Sequence, residues 1–260
     1  VKTMTGTDKN PSAAAIFIQA RMGSARLPGK VIMPLVGAPM MMRQADRLGR
    51  CLKVGFIQVL TSMERKDDTL VQMCDEMNLA VFRGELDDVL DRFYQAAKLI
   101  QAEHVVRVTG DCPLIDPAVV DQVVDHHLEN DFDYTSNIDP PTWPDGLDVE
   151  VIRFAALEDA WMEADQPFDR EHVTPFIRRN KDRFRCGNVI HPTGDLSSMR
   201  WTVDEPEDYE LVRAIYEGLH PECPEFGTED ILNWLNENPD WAAINSHHPR
   251  NAQCTERVDG

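Results

Sequence analysis

The sequence predicts an α/β fold with a mostly parallel, mixed central sheet flanked by helices on both faces. Three observations carry that expectation. Short apolar, β-branched runs alternate with amphipathic stretches through the first half, the order that βαβ units impose. The second half adds further short strands and two helical stretches. The chain is 260 residues long and 42% hydrophobic, enough to bury one sizeable core as a single domain.

The elements follow in order. Strands are expected at "AAIFIQA" (14–20), "GFIQVLTS" (55–62), "LAVFRG" (79–84), "HVVRVTGD" (104–111) and "FDYTSN" (132–137). Helical patterns lie near 39–49, 66–78, 87–102 and 117–129. In the third of these, Leu90, Phe93 and Ala97 recur at helical spacing as core positions, and Asp87 and Asp88 favour the helix N-terminus. Asp116 before Pro117 reads as the N-cap of the fourth. "PPTWPDG" (140–146) is a Pro-rich turn, and "LDVEVI" (147–152) alternates like a half-exposed strand, with Asp148 and Glu150 toward water. "REHVTPFIRRN" (170–180) is helical around Pro175 or broken by it. "RCGNVIH" and "MRWTVD" complete the strands, and helices follow at 206–218 and 228–236. Trp161 with Met40 to Met42 reads as an apolar strip of core or dimer surface. The domain spans 14–240, with 1–13 a disordered tail and 241–260 a flexible one.

A formal net charge of −19 repels a phosphate backbone, so nucleic acid is excluded as a general partner. No apolar run is long enough to span a bilayer and the first residues lack a secretory core, which reads as a cytoplasmic protein without membrane contact. The six cysteines include no CxxC pair and fit reduced thiols. The doublets His126-His127 and His247-His248 read as solvated, since neither has a third ligand at useful spacing.

In open α/β sheets ligands bind beyond the carboxyl ends of the strands. Loops 19–30, 109–113 and 203–208 are therefore the candidates. "QARMGSARLPGK" places Arg21, Arg26 and Lys30 among Gly23 and Gly29, against an otherwise acidic background. Glycines let amides approach an anion and guanidinium groups grip phosphate, so the loop suits a polyphosphate. It is not a Walker loop, because five residues separate Gly23 from Gly29 and Val31 stands where Ser or Thr is required. Asp111, at the end of the fourth strand beside that loop, is a natural Mg²⁺ ligand. Asp204 and Glu207 match a capping box, and the position after a strand leaves Asp204 room for a second role.

"IQARMGSARLPGKVIMPLVGAPM", "RVTGDCPLIDP", "DGLDVEV", "REHVTPFI" and "RWTVDEPEDYELVRAIY" together resemble the cytidylyltransferases that activate ulosonic acids. Those are the CMP-Kdo synthetases, the acylneuraminate cytidylyltransferases and the spore-coat polysaccharide biosynthesis protein F branch, to which the match is closest. The resemblance runs from about residue 15 to 219. It implies a nucleotide-diphospho-sugar transferase (Rossmann-like) type of fold, usually a homodimer, with acceptor and dimerisation elements around 138–200. It also implies a reaction, CTP plus a 2-keto sugar acid giving CMP-sugar and pyrophosphate with Mg²⁺. Carried over, Arg21 and Lys30 hold the triphosphate, with Ala20, Gly23, Ser24, Arg26 and Thr109 in the nucleotide site, and Asp111 and Asp204 are paired metal carboxylates. Arg170 or His172 are candidates to meet the acceptor carboxylate, and Asp88 and Arg92 lie near the nucleotide loop. Thr109 replaces the glutamine usual in CMP-Kdo synthetases, and "RMGSAR" replaces the "RGGSKG" of the sialic acid enzymes, which leaves the sugar open. The competing readings are a nucleotide-sugar glycosyltransferase and a non-catalytic nucleotide-binding homologue. No Asp-x-Asp stands at a strand end, which weighs against the glycosyltransferase.

Overall fold

The first strand, β1 (Ala14–Gln19), sits at the heart of the sheet because both of its faces are apolar. Ala14, Ile16 and Ile18 belong to one core and Ala15 and Phe17 to the other, the period-two division of a strand covered on both sides. The structure, a computed structural model, describes residues 14–250. The expected tail 1–13, residues 251–260 and Cys254 lie outside the described residues.

After β1 come the short hairpin strands β2 (Pro34–Leu35) and β3 (Ala38–Pro39), then α1 (Met40–Leu48), β4 (Val54–Ser62), α2 (Asp68–Glu76) and β5 (Ala80–Gly84). They are followed by α3 (Val89–Ile100), β6 (His104–Thr109), α4 (Pro117–Glu129), β7 (Tyr134–Ser136), β8 (Glu150–Arg153), α5 (Phe154–Glu163), α6 (Pro167–His172) and α7 (Pro175–Arg179). The chain continues through β9 (Cys186–Asn188), α8 (Pro206–Leu219), α9 (Thr228–Glu237) and α10 (Pro239–Ala243). The main sheet has the order β5-β4-β1-β6-β8-β7-β9, in which only β8 runs against its neighbours. From β1 the chain winds outward through β4 to β5, then returns to place β6 on the other flank of β1. The strand order reverses there, so the loops leaving β1 and β6 bound the crevice where such sheets bind ligands. These loops touch. Gly110 N donates to Gln19 O at 2.8 Å, and a Cβ on Gly110 would stand 2.7 Å from that of Ala20.

One face of the sheet is packed by α1, α4, α8 and α9, the other by α3, α5 and α7. The expected caps are present. Asp116 accepts from Ala118 N at 2.9 Å with Pro117 at the first helical position, and Asp88 accepts from Asp91 N at 2.8 Å. Cys51, Cys74, Cys112, Cys186 and Cys223 are free.

Several local expectations change. "MRWTVD" is extended but forms no strand of the sheet. Trp201 N and Thr202 N both donate to Asp145 O, whereas Val203 N donates to Asp111 O, so its donors are divided between two segments. Gly146, at φ +109°, makes the first contact possible, since a Cβ there would lie 2.5 Å from Thr202 N. "REHVTPFIRRN" is broken into α6 and α7 at Val173, φ 70°, with Pro175 opening the second helix. β8 is not half-exposed: lying between β6 and β7, it buries Glu150 to 3% exposure. Met40 to Met42 belong to the first core while Trp161 stacks on Tyr94 beside the second, at 4.1 Å between centroids, so they form no common strip. His127 is fully buried, with Nε2 3.0 Å from His104 Nδ1 and Nδ1 3.0 Å from Thr135 Oγ1. Burial above all, then His104, pushes its pKa down to about 3, so it is a neutral core residue. Residues 241–250, assigned to a tail from sequence, pack onto the domain: Asn245 is buried and donates to Arg200 O and Asp208 Oδ1, both at 2.8 Å. The hairpin, α5 and α10 carried no sequence expectation.

Gly146→Ala adds both left-handed strain and a backbone overlap. We expect it to lower the unfolding free energy by about 3 kcal/mol, read as a fall in the urea midpoint at unchanged slope. A midpoint equal to that of the parent would mean that this contact is not required.

Candidate active site

A cavity of about 490 Å³ lies over the carboxyl ends of β1 and β6. Ala20, Arg21, Gly23, Ser24, Arg26, Lys30, Thr109, Asp111 and Asp204 all line it. The glycine-rich loop is shaped by its own backbone: Ser24 N and Gly29 N both donate to Met22 O at 3.1 Å, and Leu27 N donates to Ser24 Oγ at 3.3 Å. Its anchor is Asp67, a residue the motif reading passed over. Fully buried, Asp67 accepts from Met22 N at 2.7 Å and from both the amide and hydroxyl of Ser62, fastening the loop to the end of β4. Gly29, at φ 72°, then starts a single 3₁₀ turn that directs Lys30 inward.

Lys30 does not extend into the cavity as an open phosphate contact. Its Nζ donates at 2.8 Å to each of Asp111 Oδ2, Asp204 Oδ1 and Val203 O, which uses all three of its protons. Burial pulls the ammonium pKa down, but Asp111 and Asp204 outweigh it and hold it at about 12. Burial pushes Asp111 up, and Lys30 reverses this to about 2. The pair of acids predicted to share a metal therefore shares a lysine, and Lys30 fixes their separation.

Asp204 is not the helix cap. Because Pro206 takes the first helical position of α8, the capping box falls one residue later, between Glu205 and Asp208. Asp204 is left free for the site, where Arg26 Nη2 contacts Oδ1 at 2.9 Å and Arg200 Nη2 contacts Oδ2 at 3.0 Å. Arg200, itself buried, also binds Asp145 and Asp208, and Arg26 binds Glu205. This connected network sets five carboxylates, Asp111, Asp145, Asp204, Glu205 and Asp208, against the three cations Arg26, Lys30 and Arg200. Formally it lacks two positive charges. Asp111 Oδ1 meets the Cys112 thiol at 3.5 Å, and no cation pairs with it among the described residues. An oxygen-rich site two charges short, with one carboxylate oxygen lacking a cation, fits a hard divalent ion such as Mg²⁺.

Two further cations stand beside this first cavity. Arg92 is 2% exposed, donates to the Glu85 and Leu86 carbonyls, and leaves Nε without a hydrogen-bond partner among the described residues. Burial first, then the neighbouring Arg21, lowers its pKa. Lys66 Nζ stands 2.9 Å from where a Cβ of Gly23 would be. Arg21 itself makes no hydrogen bond or ion pair among the described residues, and two guanidinium groups converging on one cavity favour an anion there.

A second cavity of about 660 Å³ adjoins the first and shares Arg26, Thr109, Asp111, His172 and Asp204 with it. Asp148 and Glu150 line it instead of facing water. Glu150 is bound by Arg107 and by Tyr134 OH, the latter at 2.6 Å; burial raises its pKa, but Arg107 leads the groups that bring it below the ordinary value. Asp148 pairs with Arg250, yet burial pushes its pKa up to about 7. Arg170 is committed elsewhere, to Asp88 Oδ2 at 2.6 Å and the Trp161 carbonyl at 2.7 Å, so the carboxylate it meets is the chain's own. His172 lines both cavities.

Residues 15–219 match the family model described as Cytidylyltransferase. The spore coat polysaccharide biosynthesis protein SpsF of Bacillus subtilis is 34% identical over 241 residues, 87% of this chain and 95% of that one. Among solved structures, a cytidylyltransferase from Leptospira borgpetersenii aligns with a TM-score of 0.84 at 31% identity, covering 92% of this chain and 99% of the other. A CMP:2-keto-3-deoxy-manno-octonic acid synthetase complexed with CTP shares the fold, with a TM-score of 0.61 at 19% identity, covering 80% and 99%.

The lysine tie has a pH signature. Asp111 is depressed from 3.8, so its stabilisation is present above that value and is lost as pH falls toward 2; Lys30 is raised from 10.5, so its share is complete below that value and is lost through about 12. In chelator-treated protein, Lys30→Met is expected to shift the acid limb of the thermal stability profile upward by about one pH unit. An unshifted limb would show that the tie contributes nothing to folding.

Proposed function

The chain belongs to the cytidylyltransferase family, and on that premise we propose that it condenses CTP with a 2-keto sugar acid to give a CMP-sugar and pyrophosphate, for surface polysaccharide biosynthesis. As a CTP-dependent nucleotidyltransferase it needs a place for the triphosphate and a place for the acceptor. The observation that carries the reading is that two cavities meet at Asp111 and Asp204, one under a glycine-rich cationic loop and one lined by polar side chains. The polysaccharide role named for the Bacillus relative and the CTP-bound state of the octonic acid synthetase support it.

In this reading the acceptor hydroxyl, held in the second cavity, attacks the α-phosphorus in line with the leaving pyrophosphate. The new P–O bond forms as the bond between the α-phosphorus and the bridging oxygen breaks. Arg21 binds the β- and γ-phosphates and meets the charge that develops on pyrophosphate, while the amides around Gly23 and Ser24 approach the same oxygens. Lys30 keeps a fixed positive charge in the cavity wall and holds Asp111 and Asp204 in register. A divalent cation held by those two carboxylates, Mg²⁺ in our reading, supplies Lewis-acid charge to the nucleotide phosphates. Asp148 lines the second cavity, where burial pushes its pKa up to about 7, and in this reading it accepts the proton of the attacking hydroxyl. A homodimer belongs to the same proposal, and light scattering reads it directly.

Asp204→Asn leaves the capping box of α8 intact. It is expected to stay folded with a lower thermal midpoint, because Lys30, Arg26 and Arg200 each lose a charged partner, and to lower kcat for pyrophosphate release by about 10²–10³, whereas Arg21→Ala should raise KM for CTP by about tenfold. The assay sets CTP against ATP, UTP and GTP across Kdo, its 8-amino analogue, and sialic, legionaminic and pseudaminic acids. Release that needs both CTP and one sugar acid supports the proposal and names the acceptor. Silence across the panel from protein that binds CTP in calorimetry overturns the ulosonic acid reading, and near-parent rates in Asp204→Asn overturn the metal pair.

A further inference from the structure

We propose that Glu207, His247 and His248 form a second metal site, suited to a borderline divalent ion such as Zn²⁺, that fastens the C-terminal segment to the first turn of α8. One ligand atom from each of the three side chains lies within 4.8 Å of the others. His248 Nε2 is 3.5 Å from Glu207 Oε2, shielded from solvent and without a hydrogen-bond partner among the described residues. The two imidazole rings lie side by side, 4.0 Å between centroids.

Ligand atoms around one tetrahedral zinc stand about 3.3 Å apart, given metal–ligand distances of about 2.0–2.1 Å. Side-chain movements of up to about 1.5 Å bring the three atoms to that separation, and His247 is exposed and able to turn. Two imidazoles and a carboxylate select zinc-like ions over Mg²⁺, which takes oxygen ligands, so this site differs in kind from the carboxylate pair of the active site.

The surroundings hold the two histidines in place from both sides. Before them, Asn245 is fixed by Arg200 O and Asp208, and the turn is closed by His248 N donating to Asn245 O at 3.1 Å. After them, Arg250 donates to Trp143 O at 2.9 Å and pairs with Asp148. Glu207 adds the one contact to α8 that a metal would convert into a coordinate bond.

The test is a titration of the chelator-treated full chain with Co²⁺ in excess Mg²⁺, followed by visible absorption and calorimetry. One Co²⁺ per chain is expected, displaced by Zn²⁺, with amide exchange across 244–250 slowed by Zn²⁺. His247→Ala and Glu207→Gln should each weaken binding by about tenfold or more, and Asp111→Asn should leave the signal unchanged, separating this site from the active one. His247 is exposed, so its replacement is tolerated by the fold. Absence of saturable binding, or binding that survives both His247→Ala and Glu207→Gln, overturns the proposal.

Discussion

A single ammonium group holds the functional half of this molecule together. Lys30 Nζ is the meeting point of the loop after β1, the end of β6 and the segment that leads into α8. A buried charge costs several kcal/mol unless its hydrogen bonds are complete and its partners opposite in sign. Here three protons meet three acceptors, two of them carboxylates. The arrangement constrains the carboxylates as much as the lysine, since without a shared cation Asp111 and Asp204 would repel one another.

The rest of the site is built outward from that tie. Arg200 takes the far oxygen of Asp204 and carries the network to Asp145 and Asp208, while Asp208 closes the cap of α8 with its remaining capacity. The hydrogen bonding of "MRWTVD" follows from the same demand: its amides serve Asp145 and Asp111 carbonyls, which positions Arg200 and Asp204 on either side. The network stays short of two positive charges.

The two cavities inherit their characters from the strands beneath them. β1 and β6 are parallel neighbours at the reversal of strand order, and their loops supply amides and cations to the first cavity. β8, the antiparallel strand, begins with Glu150, which lines the other cavity beside Asp148 just ahead of it. The C-terminal segment, anchored through Asn245 and Arg250, packs against that second cavity as part of the domain.

Much of this was legible from the residues alone. β-Branched runs and helical periodicity depend on neighbours within a few positions, so most strands, "MRWTVD" excepted, and most helices fell where the pattern put them, and Asp88 and Asp116 capped as their flanks implied. The cationic loop was visible because five of its residues stand in one stretch. The tertiary structure alone decided who pairs with whom. Lys30 meets Asp204 across 174 residues, Asp67 anchors a loop 45 residues before it, and Glu207 joins two histidines that seemed solitary. Spacing says nothing of such partners, because the cost of burying a charge is met by whichever group the packed sheet brings within 3 Å, and that is a property of the whole fold.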